Sequence, residues 1–181
     1  MNLLYGSGLV VPGTGVLLND EMDDFALRPG TPNAFGVMGF EANAPKPGKR
    51  MLSSMTPTFL SSKDKVAVVG APGGSRIITE VLIAILGYVD DGLGPQAVAA
   101  LPRFHHQWMP DVISAERGAL APDVVQALQA MGHTVNAAES TWGNVQTVQW
   151  DRAANTLSGG TDPRNPVGKA AVEDTLVERA K

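Results

Sequence analysis

Apolar and polar positions change period several times along this chain, and the sharpest change falls between residues 66 and 89. Val66-Ala67-Val68-Val69 is a β-branched run that predicts a buried strand. Gly70-Ala71-Pro72-Gly73-Gly74 breaks it. Apolar residues then recur at Ile77, Ile78, Val81, Leu82, Ile85 and Leu86, the spacing of one helix face, with Ser75 placed as an N-cap. The same reading gives a short strand at residues 16–18 and an alternating, half-buried strand at 145–150. Helices are expected at 95–101 and 122–131, each with proline near its start. Polar turns fall at 61–65 and 151–156, and residues 167–181 read as a weak helix or a frayed tail.

A strand, a glycine turn and a helix in this order place Gly73 and Gly74 where unpaired N–H groups and the positive end of the helix dipole point outward. Lacking Cβ atoms, they let a ligand approach the main chain. Such a turn can hold an anion or the oxygen of a tetrahedral intermediate; it can also be only a tight connection between packed elements.

Three other stretches carry chemistry. Asp20, Glu21, Asp23 and Asp24 gather four carboxylates in a short run. It reads as a solvated acidic turn, a metal loop or a pocket for an ammonium group, and EF-hand spacing is absent. Residues 28–50 are rich in proline and glycine and form no regular element. A loop of this length suits a lid or binding loop, with Phe35 and Phe40 either closing over a site or tacking the loop down. Ser53-Ser54 can offer two hydroxyls and backbone N–H groups to a carboxylate. His105-His106 do not share a face of a regular element, so packing and ring hydrogen bonds suit them better than metal ligation.

Composition narrows the field. The 181 residues suffice for one domain, residues 1–181, with a real core. The net charge of −4 argues against a nucleic-acid partner. With no cysteine there is neither a disulfide nor thiolate chemistry. The longest apolar run is too short to span a membrane, and the first residues lack the basic region and apolar core of a signal peptide. The dinucleotide fingerprint stops after Gly13-Thr14-Gly15. The Walker lysine, the nucleophile elbow, the zincin helix motif and a readable serine triad are all missing.

In order, these segments resemble the small subunit of the γ-glutamyltransferases (glutathione hydrolases), members of the N-terminal-nucleophile hydrolases. The resemblance is carried by Asn2 with Tyr5-Gly6-Ser7-Gly8, by Leu18 to Phe25, by Pro29-Gly30 with Pro32-Asn33, and by Lys49-Arg50 with Leu52 to Pro57. It continues through Gly70 with Pro72 to Ile78, Pro102 to Trp108, and Asp162-Pro163-Arg164. It covers nearly the whole chain. It implies an α+β fold, a four-layer αββα sandwich, here partial because the first strand hairpin is missing.

The resemblance also implies roles. Positions matching Asn2, Glu21 and Asp24 hold the ammonium of a γ-glutamyl substrate such as glutathione. Those matching Ser53 and Ser54 hold its carboxylate, helped by an arginine from a large subunit. Gly73 and Gly74 form the oxyanion hole, and Phe35 falls in a lid. The family nucleophile, a threonine freed by self-cleavage, lies ahead of the Asn2 segment, and neither Thr14 nor Thr31 replaces it. Water or an amino acid or peptide accepts the acyl group, without cofactor or metal. Bacterial members of the family are commonly periplasmic or secreted. The chain alone is therefore expected to be inactive, and unstable at an unpaired sheet edge. A non-catalytic γ-glutamyl-binding protein and a glutaryl-β-lactam acylase are the alternatives.

Overall fold

A computed structural model describes residues 2–137 and 140–172. The chain falls into two compact units, Met1–Ser54 and Met55–Lys181. The expected tail at 167–181 is described only through Val172, in irregular conformation, and the remainder lies outside the described residues.

The first unit has little regular structure. It contains 3₁₀ helices at Glu21–Asp24 and Glu41–Asn43 and two isolated antiparallel bridges, Val10 with Leu17 and Pro32 with Met38. The strand expected at 16–18 is reduced to that Leu17 bridge, because Val11 and Val16 close a tight turn by a 2.9 Å backbone hydrogen bond. Phe25 and Ala26 are its buried apolar residues.

The second unit begins with the hairpin β1 (Thr58–Ser61) and β2 (Lys65–Gly70) and continues into α1 (Ile77–Val89) and α2 (Pro95–Ala100). Then follow β3 (Phe104–His105), β4 (Ile113–Ala115), α3 (Pro122–Ala130), β5 (Val135–Ala137), β6 (Gln146–Asp151) and β7 (Thr156–Thr161). One sheet has the order β1-β2-β6-β7 and is antiparallel throughout. The other has the order β3-β4-β5, with β4 and β5 parallel.

The core lies between the larger sheet and the helices α1 and α2. Val69 of β2 and Val145 beside β6 meet Ile77, Val81 and Ala84 of α1 and Val98 and Ala99 of α2. Each buried branched side chain contributes about 2 kcal/mol of transfer free energy. The opposite sheet face carries Phe59, Val68 and Val148 in register, with Phe59 and Val148 exposed.

Helix α1 is rotated from the expected face. Ile77, Glu80, Val81, Ala84 and Gly87 point inward, while Ile78, Leu82 and Leu86 are exposed. Close approach of α1 to the segment after α2 sets this rotation: a Cβ at Gly87 would come 2.7 Å from Leu101 Cδ1. Strand β7 shows the same economy of space. A Cβ at Gly160 would lie 2.2 Å from the Pro95 carbonyl oxygen, so only glycine lets α2 begin there. Among the described residues no helix is long and apolar enough to cross a membrane.

Candidate functional site

The first unit brings several of the sequence-predicted residues together. The side-chain amide of Asn2 donates to Asp24 Oδ1 and to the Asp20 carbonyl, both at 3.3 Å. Glu21 is held beside them, its N–H donating to Asn19 Oδ1 at 3.0 Å. Burial raises the Asp24 pKa, and the like charges of Glu21 and Asp23 raise it further, against the lowering hydrogen bond from Asn2. An ammonium group placed here would relieve that repulsion.

Asn43 was not singled out from sequence, and it ties this turn to the twin serines. Its Nδ2 donates to the Asp24 carbonyl at 2.7 Å, and its Oδ1 accepts the Leu52 N–H at 3.1 Å. Ser53, exposed, and Ser54, half-buried, follow directly. A cleft of about 240 Å³ is lined by Asp23, Asp24, Asn33, Asn43 and Leu52, among others. Asp23 Oδ2 is buried there without a hydrogen-bond partner. Phe35 is half-buried in a turn built on Asn33, whose Oδ1 accepts the N–H groups of Phe35 and Val37, each at 3.0 Å.

The second unit holds the diglycine turn. Gly73 has φ 150° and Gly74 has φ 60°, and a 3₁₀ turn, Gly74–Arg76, precedes α1. Ser75 is not the helix N-cap; Arg76 takes that position and no side chain caps it. The Ser75 hydroxyl instead donates to Gln107 Oε1 at 2.6 Å. Gln107 Nε2 donates to the Met109 carbonyl, which leaves its Oε1 to accept from His105 Nε2 at 2.8 Å. His105 Nδ1 meets the Thr79 hydroxyl at 2.8 Å. Burial lowers the His105 pKa, so the ring is neutral near pH 7 and acts as a hydrogen-bonding strut.

Beneath the turn lies a buried charge network whose role was not readable from the Pro102 to Trp108 and Asp162 to Arg164 motifs. Arg103 pairs with Asp162, and Arg164 with Glu116. Arg164 Nη1 also donates to Asp162 Oδ1 at 3.1 Å, and Asp162 Oδ2 accepts the Val145 N–H at 2.8 Å. Glu116 accepts the N–H groups of Arg103 at 3.0 Å and Trp142 at 2.9 Å. Apart from Asp162 and Arg164, the partners are far apart in sequence, so no local spacing signals the network.

Comparison with known proteins supplies a family. The model described as Gamma-glutamyltranspeptidase matches residues 1–172. The chain is 43% identical to the Glutathione hydrolase proenzyme of Escherichia coli (strain K12), over 91% of this chain and 28% of that protein. It is 46% identical to the Glutathione hydrolase proenzyme of Pseudomonas aeruginosa, over 91% of this chain and 30% of that one. The chain thus spans under a third of the length of these relatives. Among solved structures, the T380A mutant of Helicobacter pylori gamma-glutamyltranspeptidase matches with TM-score 0.83 and 42% identity, covering 91% of this chain and 89% of that chain. A cephalosporin acylase from Bacillus halodurans matches with TM-score 0.71 and 30% identity, covering 88% and 28%.

Proposed function

The chain belongs to the gamma-glutamyltranspeptidase family, and from that premise we propose that it is the glutamyl-holding, charge-stabilising part of a two-subunit acyltransferase. It has the α+β architecture of the N-terminal-nucleophile hydrolases seen in its structural relatives. The proposed substrates are glutathione and related γ-glutamyl compounds, with water or an amino acid or peptide as acceptor. The proposed partner is the large subunit of the same precursor, the proposed compartment is periplasmic or extracellular, and residues 1–181 form the C-terminal domain of the whole.

The observation that carries the reading is the Asn43 tie. It joins the acidic turn of Asn2, Glu21 and Asp24 to the segment bearing Ser53 and Ser54. Carboxylates suited to an ammonium and hydroxyls suited to a carboxylate thus belong to one unit, the two charges of an amino-acid head group. Gly73 and Gly74 are the proposed oxyanion donors. Attack on the γ-carbonyl carbon by the family's threonine places negative charge on the carbonyl oxygen, and two N–H groups aimed at it lower the barrier. Collapse breaks the C–N bond, releases the amine carrying the proton lost by the threonine hydroxyl, and leaves a γ-glutamyl ester that the acceptor cleaves.

Neither Thr14 nor Thr31 is the proposed nucleophile. Thr14 is used in its own turn, its hydroxyl donating to the Val11 carbonyl at 3.0 Å. Purified Met1–Lys181 is therefore expected to release no p-nitroaniline from γ-glutamyl-p-nitroanilide. Turnover by the chain alone would overturn this. The acylase-type alternative rests on the cephalosporin acylase likeness, and tighter binding of glutarate than of glutamate would favour it. The acidic turn argues for glutamate.

A further inference from the structure

Glu80 is a charged residue on the inward face of α1, 1% exposed, at a position where the helix pattern calls for an apolar side chain. Its carboxyl is wedged between two glycines. A Cβ at Gly73 would lie 2.9 Å from its Oε1, and one at Gly143 only 2.2 Å from its Oε2. Neither oxygen completes a hydrogen bond of good geometry. The nearest cation, Arg103 Nη1, is 3.8 Å away. That guanidinium is already committed to the Trp142 and Ala99 carbonyls and to Asp162.

We propose that Glu80 is the positioning residue of the diglycine turn: it props Gly73 against the Gly143 loop in its neutral form, and its ionisation opposes charge developing at the turn. The inference rests on the reading of Gly73 and Gly74 as oxyanion donors. The physical reasoning is direct. A neutral carboxyl fits a buried space where neither oxygen has a hydrogen bond of good geometry, whereas a carboxylate there is desolvated and lies beside the Gly73 main chain. Burial raises the Glu80 pKa to about 7, against the lowering influence of Arg103 and the Asn144 backbone N–H, so the group changes charge within the working range of an enzyme. The other charges around it are fixed in sign. Asp162 and Glu116 are paired with Arg103 and Arg164, and Arg76 stacks over the Trp142 ring at 4.6 Å. His105 is neutral near pH 7.

The test uses the assembled enzyme that carries this chain, labelled with ¹⁵N-glycine and ¹³C-glutamate. In the unsubstituted protein the Glu80 carboxyl carbon should titrate near pH 7, and the Gly73 and Gly143 amides should shift with it. A midpoint in the ordinary carboxylate range, or glycine amides that ignore the titration, would overturn the proposal without any variant. In Glu80→Gln the glycine shifts should vanish. The kcat of γ-glutamyl-p-nitroanilide hydrolysis should lose a fall of about tenfold between pH 6 and pH 8.5, with KM little changed. An unaltered alkaline limb in Glu80→Gln would count equally against it. Failure of the oxyanion reading shows separately: replacing the Gly74 peptide N–H by an ester oxygen, which keeps its φ of 60° accessible, would then leave kcat intact while the glycine amides still followed Glu80.

Discussion

Arg103 and Asp162 meet as an ion pair 59 residues apart in sequence, one 2% and the other 0% exposed. Removing one partner strands the other in the interior. Asp162→Ala should destabilise the protein by about 3–5 kcal/mol, read from denaturant unfolding. Burial raises the Asp162 pKa, but the hydrogen bonds from Arg103, Arg164 and Val145 and the Arg103 charge prevail and hold it below its usual 3.8. Its contribution is therefore present above pH 4 and is lost as the pH falls through the lowered value. Unfolding midpoints below pH 4 should fall less steeply in Asp162→Asn than in the unsubstituted protein, starting from a lower plateau.

Glu80 has the opposite sign. Its folded-state pKa of about 7 lies above the ordinary 4.5, so the unfolded chain releases its proton first. Stability should decline as pH rises from about 4.5 to 7 and level off beyond it. Glu80→Gln removes the decline, and its thermal midpoint should exceed that of the unsubstituted protein at pH 8 and match it at pH 5.

The acidic turn predicts a binding profile. Burial and the charge of Glu21 raise the Asp24 pKa above its usual 3.8, and only the ionised form attracts an ammonium. Glutamate affinity, measured by calorimetry on the assembled enzyme, should weaken as pH drops toward that raised value. Asp24→Asn should weaken it at every pH, by about tenfold or more at pH 7.

Asn43 should act on affinity through position alone. Asn43→Ala frees the Asp24 carbonyl and the Leu52 N–H from each other, so KM should rise about fivefold to tenfold. Because the fall is in ground-state binding, kcat should hold. Equal loss in kcat would assign Asn43 to the chemistry instead of to the alignment of the two halves of the head-group pocket.

Much of this was legible in the chain. The strand at β2, the glycine turn and the helix after it form as the change of period predicts, and β6 alternates as expected. Strand β7 was hidden because Ser158-Gly159-Gly160 lacks the β-branched residues that mark strands. The short strands β3 to β5 hold two or three residues each, too few to show a period. The buried face of α1 was misread by about one helical position because a carboxylate occupies it and Ile78 does not. The acidic turn, the twin serines and the diglycine turn were readable as local clusters. Asn43, Glu80 and the Arg103 network act through partners distant in sequence, and no spacing rule reaches them.

The seat of Gly160 against Pro95 has a practical consequence. In a saturation library at that codon, variants fail because a helix start is levered off its sheet. The position thus serves as an internal control for directed evolution. A screen that lets alanine or serine through there is scoring something other than the folded molecule.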